Sequence, residues 1–178
     1  MKKSYSAILI CTSILVLLIG CTNQSQINED IVTTAIKPTI NQSSNLYANT
    51  QYGFNFSLPE SWKGYTIVNG KWEGLAIGGE SGESIVETGP LISIRHPQWT
   101  TQSPRQDIPI MVFTNNQWTS LQQEKFHIGA APMGPSELGR NSSYVFALPA
   151  RYNYSFPQGY EEVENILKAN PLQSTKNN

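Results

Sequence analysis

Tyr52-Gly53-Phe54-Asn55-Phe56-Ser57-Leu58-Pro59-Glu60-Ser61-Trp62 is the stretch from which the fold is read. Phe54, Phe56 and Leu58 alternate with Asn55 and Ser57, the two-residue period of a half-buried strand. Pro59 removes a ladder donor and ends the strand, Glu60-Ser61 turns the chain, and Trp62 folds back onto its apolar side.

This stretch resembles the opening of the PsbP/Mog1-like domains, which often read Tyr-Gly-Phe-x-Phe-x-Leu-Pro-x-x-Trp. The resemblance covers about a dozen residues. It implies an α+β fold, written also as α/β: an antiparallel sheet flanked by helices in an α/β/α sandwich. It carries over no catalytic residue and no cofactor.

Downstream, Tyr65–Val68 reads as a strand, Asn69-Gly70 as a two-residue hairpin turn and Lys71–Ile77 as the partner strand. Residues 78–84 read as a flexible loop, followed by a helix or brief strand at Ile85-Val86. Leu91–Arg95 reads as a buried strand stopped by Pro97, and residues 99–107 as polar loop. Ile108–Thr114 is apolar, with Pro109 marking its start as an edge. A helix capped at Asn115 or Asn116 is predicted through Phe126, burying Trp118 and Leu121. Residues 129–139, with Pro132, Gly134 and Pro135, read as loop. Tyr144–Leu148 is the last clear strand, and residues 152–160 form an aromatic loop. Tyr160, Val163, Ile166 and Leu167 recur at helical spacing, so residues 158–169 make a closing helix stopped by Asn170-Pro171.

The amino-terminal region carries a different message. Lys2 and Lys3 precede an apolar run from Ala7 to Ile19, 13 residues long. A spanning helix needs roughly 20, so the run reads as a secretory signal. Leu18-Ile19-Gly20-Cys21 resembles the bacterial lipoprotein signal, Leu-x-(Gly/Ala)-Cys. The resemblance implies cleavage before Cys21 and a diacylglycerol on its sulfur. The expected organisation is therefore a signal peptide at 1–20, a lipidated Cys21 with a polar tether through 46, one globular domain at 47–170 and a polar tail at 171–178. The tether, rich in Thr, Asn, Gln and Ser, cannot offset its own ordering entropy by burial. A short helix through Ile27, Ile31 and Val32 is its alternative. The expected location is the extracytoplasmic side of the cell membrane.

Charge and cysteine content narrow the function. The formal charge is −1, and loss of Lys2 and Lys3 with residues 1–20 takes it to −3. That leaves no basic excess for nucleic acid. Cys11 departs with the signal and Cys21 is acylated, so the mature domain has neither thiol nor disulfide chemistry. His96 and His127 show no metal-ligand spacing. Residues 78–82 lack the lysine of a phosphate loop, and no Gly-x-Ser-x-Gly elbow occurs. Glu161-Glu162 suits the first turn of a helix.

The remaining polar cluster comprises Arg95, His96, Trp99, Arg105 and Asp107. Planar aromatics stack on sugars and arginine forks grip carboxylates, so these five are the candidate binding face. The plainer alternative has Trp99 closing the core and Arg105 paired with Asp107. The functional expectation is a non-catalytic, membrane-anchored accessory module binding an envelope protein or glycan. Its alternative is a cell-wall or envelope hydrolase.

Overall fold

The computed structural model describes residues 45–78 and 84–175. Cys21, the tether through residue 44 and residues 79–83 of the expected loop lie outside the described residues.

Nine strands and two helices are described. β1 (Asn45–Asn49) and β2 (Phe54–Leu58) form a hairpin, a 3-10 turn at Glu60–Trp62 follows, and β3 (Thr66–Ala76) and β4 (Ile85–Arg95) make a long ribbon. β5 (Ile108–Thr114), α1 (Asn115–Gln122), β6 (Phe126–Ile128), β7 (Ser136–Arg140), β8 (Tyr144–Leu148), α2 (Tyr160–Lys168) and β9 (Leu172–Ser174) complete the order. The strands form two antiparallel sheets. One has the order β1-β2-β9; the other, β6-β3-β4-β5-β8-β7, curls into a half-barrel. The fold is α+β.

The two faces of the six-stranded sheet are covered differently. On one, Phe54, Phe56 and Leu58 of β2, with Trp62 and with Val163 and Ile166 of α2, pack on Ile92, Ile94, Ile108, Ile110 and Phe146. On the other, Trp72, Met111, Phe113, Leu121, Phe126 and Val145 form a second cluster beneath α1. Each aromatic or aliphatic side chain so buried contributes about 1.5–3 kcal/mol. The alternation read in β2 is present residue by residue, and Trp62 is 1 % exposed.

Asn69-Gly70 is not a turn. β3 runs straight through it, with Gly70 opposite Leu91, and Gly70 is absent from the glycines with positive φ. A two-residue hairpin of type I′ needs positive φ at both positions. The ribbon is held straight by a long-range contact instead. The Trp72 indole lies over Gly89 and donates from Nε1 to the Val112 carbonyl at 2.8 Å. The reversal begins near Gly78, at φ +76°. Ile85-Val86 accordingly opens β4, an 11-residue strand.

Other boundaries move for local reasons. Thr114 caps α1 in a capping box with Gln117, one residue before the expected cap. The helix stops at Gln122, Glu124 turns at φ +55°, and Phe126 starts a strand instead of ending the helix. Pro109 lies in a central strand, at a point where β4 is paired but β8 begins only opposite Met111. Part of the expected loop at 129–139 pairs with β8 as β7, around a bulge at Glu137/Gly139. The folded elements also exceed the expected 47–170. β1 starts at Asn45, and the expected tail supplies β9, which pairs with β2. β2 is buried and would otherwise leave backbone groups unpaired on that side. α2 ends as read, with Asn170 left-handed at φ +51° before buried Pro171.

Gly70 and Gly89 separate the two accounts of the ribbon. A Cβ at Gly89 would meet the Trp72 ring at 2.5 Å, whereas one at Gly70 meets nothing closer than 3.8 Å. Gly89→Ala is expected to cost about 1–3 kcal/mol in urea unfolding. Gly70→Ala is expected to change stability by less than about 0.5 kcal/mol, and a large loss there would restore the turn.

Candidate functional site

The five candidate residues do not meet in one cleft. The β4–β5 register sets Ile94 opposite Ile108, which places Arg95 and Asp107 just beyond the last pair. Arg95 Nη2 donates to Asp107 Oδ2 at 2.8 Å, and Nε reaches both carboxylate oxygens at 3.2 Å. The same guanidinium lies 3.9 Å from the Trp99 ring centroid. Hydrogen bonding to Asp107 raises the Arg95 pKa. Asp107 is therefore taken by Arg95 and not by Arg105, and half-buried Trp99 packs beneath a cation, outside both apolar clusters. Together they clip the loop at 96–107 to the sheet.

Arg105 and His96 belong to another cluster. Arg105 Nη2 sits 3.5 Å from Glu162 Oε2, and Glu162 Oε1 accepts from Ser61 Oγ at 2.6 Å. Gly159, left-handed at φ +82° before α2, leaves room for that arginine; a Cβ there would stand 3.2 Å from Nη2. His96 is 4 % exposed and packs edge-on against Trp62 at 5.0 Å. Its Nδ1 accepts from the Gln98 N–H at 3.0 Å, which places the ring proton on Nε2. Burial, then the Arg105 charge, lowers its pKa, with Glu162 opposing. His127 donates from Nδ1 to the Gly129 carbonyl at 2.8 Å. Among the described residues no group of three or more His, Cys, Asp and Glu side chains is placed to hold a metal.

A different site is concave. β1 and the turn after it stand across from the β3–β4 ribbon and leave a groove of about 610 Å³. Ile67, Leu91 and Ile92 give it apolar surface; Tyr47, Asn49, Gln51, Tyr52, Asn69, Lys71 and Thr88 surround that surface with polar groups. The wall is fixed in place. Tyr52 N–H donates to Asn49 Oδ1 at 2.9 Å, and Asn141 Nδ2 donates to the carbonyls of Tyr52 and Gly53. The Tyr52 ring meets Tyr144 edge-on at 5.4 Å, and Tyr47 packs on Phe54 and Tyr65.

The groove offers donors. The Tyr47 hydroxyl accepts from Asn49 Nδ2 at 2.8 Å and the Tyr52 hydroxyl from Gln51 Nε2 at 3.0 Å. Each tyrosine keeps its own O–H proton to give. Burial raises the Tyr47 pKa, which keeps that proton in place at neutral pH. Lys71 is exposed and is the one formally charged residue of the lining among the described residues, which place no carboxylate there. None of the five candidate residues lines it either. Sequence reading passed over it because residues 47–51 were given no element and Asn69-Gly70 was read as a turn. The available signal was two tyrosines with two amides, Asn49 and Gln51, within residues 47–52.

Comparison with protein-family models, with curated proteins and with solved structures found no match to this chain. Among the described residues no helix is long and apolar enough to cross a membrane.

His96 sets a pH dependence. A histidine held below its ordinary value of 6.5 binds its proton more readily in the unfolded chain. Its contribution is therefore intact above about pH 6.5 and is lost as pH falls through the lowered folded value. Urea midpoints taken from about pH 7.5 down to about pH 5 should fall more steeply for the wild type than for His96→Gln. Parallel curves would show that the buried ring is not the group responsible.

Proposed function

We propose that this chain is a lipid-anchored, extracytoplasmic binding module of the cell envelope, and that the groove between β1 and the β3–β4 ribbon is its capture site. The observation that carries the reading is the donor-rich lining: two fixed tyrosine hydroxyls, amides and one lysine around apolar surface, with no carboxylate among the described lining residues. Such a surface favours ligands rich in acceptors, neutral or anionic, over cationic ones. Envelope glycan and an extended stretch of envelope protein both present that chemistry.

The anchor half rests on Leu18-Ile19-Gly20-Cys21 and the basic, apolar run before it. One acyl chain holds only marginally, and two or more make attachment stable. The finer fold reading is the PsbP/Mog1 type. It is supported by the Tyr52–Trp62 stretch, which folds as strand, turn and returning tryptophan. It is supported also by helices on both faces of an antiparallel sheet. A binding role is favoured over a hydrolytic one because, among the described residues, Lys71 and two tyrosines are the ionisable groups lining the groove, and catalysis of hydrolysis calls for a converging acid and base.

The two halves are tested separately. A fatty-acid probe should label the wild-type chain in its host and fail to label Cys21→Ser; an unlabelled wild type recovered from the cytosol would remove the anchor. For the groove, the full chain is tested against isolated wall glycan and, separately, against envelope membrane proteins. Asn69→Ala with Lys71→Ala should weaken binding to one of the two about tenfold, the loss of one to two hydrogen bonds. Arg95→Ala should cost about 1 kcal/mol of stability and leave binding unchanged. The reverse pattern would return the site to Arg95.

A further inference from the structure

β3 is only partly paired on its outer side. β4 accompanies it from Thr66 to Leu75, but β6 meets only Gly74–Ala76 on the other edge. Gly129, at φ +59°, then turns the chain away. Among the described residues no other strand pairs with Ile67–Glu73 on that edge. This lane is seven residues long, roughly 24 Å. Asn69, Gly70, Lys71 and Glu73 are exposed, as is Val68 at 37 %. Open edges of this length are sites of strand addition.

We infer that the occupant of this lane is the β3 strand of a second copy, paired antiparallel about a two-fold axis through Gly70. The lane and its own sequence select that partner and register. A two-fold axis between antiparallel edges stands perpendicular to the sheet and keeps each copy's faces on the same side. Opposed residues then share a face, so the axis passes through a residue and not between two. Centring on Gly70 uses all of Ile67–Glu73 and brings only Thr66, at the strand's end, opposite Gly74, where β6 begins. Centring on Trp72 brings Lys71 opposite Glu73, but drives each copy into the stretch already taken by β6.

The Gly70 register opposes Asn69 with the second copy's Lys71, Val68 with its Trp72 and Ile67 with its Glu73. Val68 against Trp72 is a β-branched–aromatic pair of the kind that stabilises cross-strand contacts, and no like charges are directly opposed. At the axis Gly70 faces Gly70, so no side chain obstructs the approach. Among the described residues β1 faces Asn69–Lys71 across the groove. The product is a closed, self-complementary dimer whose sheet is ten strands wide across the axis, each β6 lying end to end with the other copy's β3. The inference does not depend on what the groove binds.

Gly70 also makes the test specific, because an added side chain has open space within its own copy. Residues directly opposed across an antiparallel pair lie about 4.5–5.5 Å apart at Cα, within disulfide range. In the host, the full chain carrying Gly70→Cys is expected to give a covalent dimer on mild oxidation. Lys63→Cys, exposed but outside the lane, is expected to give none. Tagged Gly70→Lys should capture untagged Gly70→Lys about fivefold less than wild type captures wild type, because two lysines then meet at the axis. Tagged Gly70→Lys with untagged Gly70→Asp should recover wild-type capture, which also shows that both variants fold. Four results would overturn the inference: no disulfide at position 70, equal cross-linking at position 63, a disulfide from position 70 to a different protein, or no recovery in the mixed pair.

Discussion

The structure depends on β2 lying flat against the six-stranded sheet. Phe54, Phe56 and Leu58 are each at most 2 % exposed, and the Phe54 ring meets Phe146 at 4.7 Å. This contact fixes where β1 and β9 run, since both pair with β2, and gives Trp62 its seat against His96. It thereby sets the floor and wall of the groove. Such burial is what offsets the backbone entropy of ordering these strands.

Elements whose signal is local were legible. β2, β8 and α2 have the periodicity and the stops that sequence shows, and their spans agree with the reading to within two residues. Elements whose signal is distant were not. Asn69-Gly70 carries the residue types of a turn, yet the decision was made by Trp72 lying over Gly89 and bonding to Val112, forty residues away. β1, β7 and β9 are three to five residues long, and their existence follows from the unpaired edges of β2 and β8, which no local window contains.

The candidate site followed the same division. That Arg95, Trp99 and Asp107 act together was visible as a cluster, but their partnership is set by the β4–β5 register and serves the loop they enclose. Arg105 turns the other way because α2 brings Glu162 to it, 57 residues later in the chain. The donor-rich groove was hidden for the same reason: β1 and the ribbon each contribute half of it, and neither half is concave alone.

The strand order β1-β2-β9 has a further consequence for how the protein is made. Leu172–Ser174 closes a sheet whose other members lie more than 110 residues upstream. A polypeptide threaded amino end first through a translocation channel would have β2 on the far side long before its neighbour arrived. Pairing so remote in sequence is intrinsically slow. In that interval the buried aromatics of β2 would have their backbone satisfied on one side alone. Among the described strands β9 is thus the one that completes the layer, and until it pairs the aromatic strand β2 keeps an open edge.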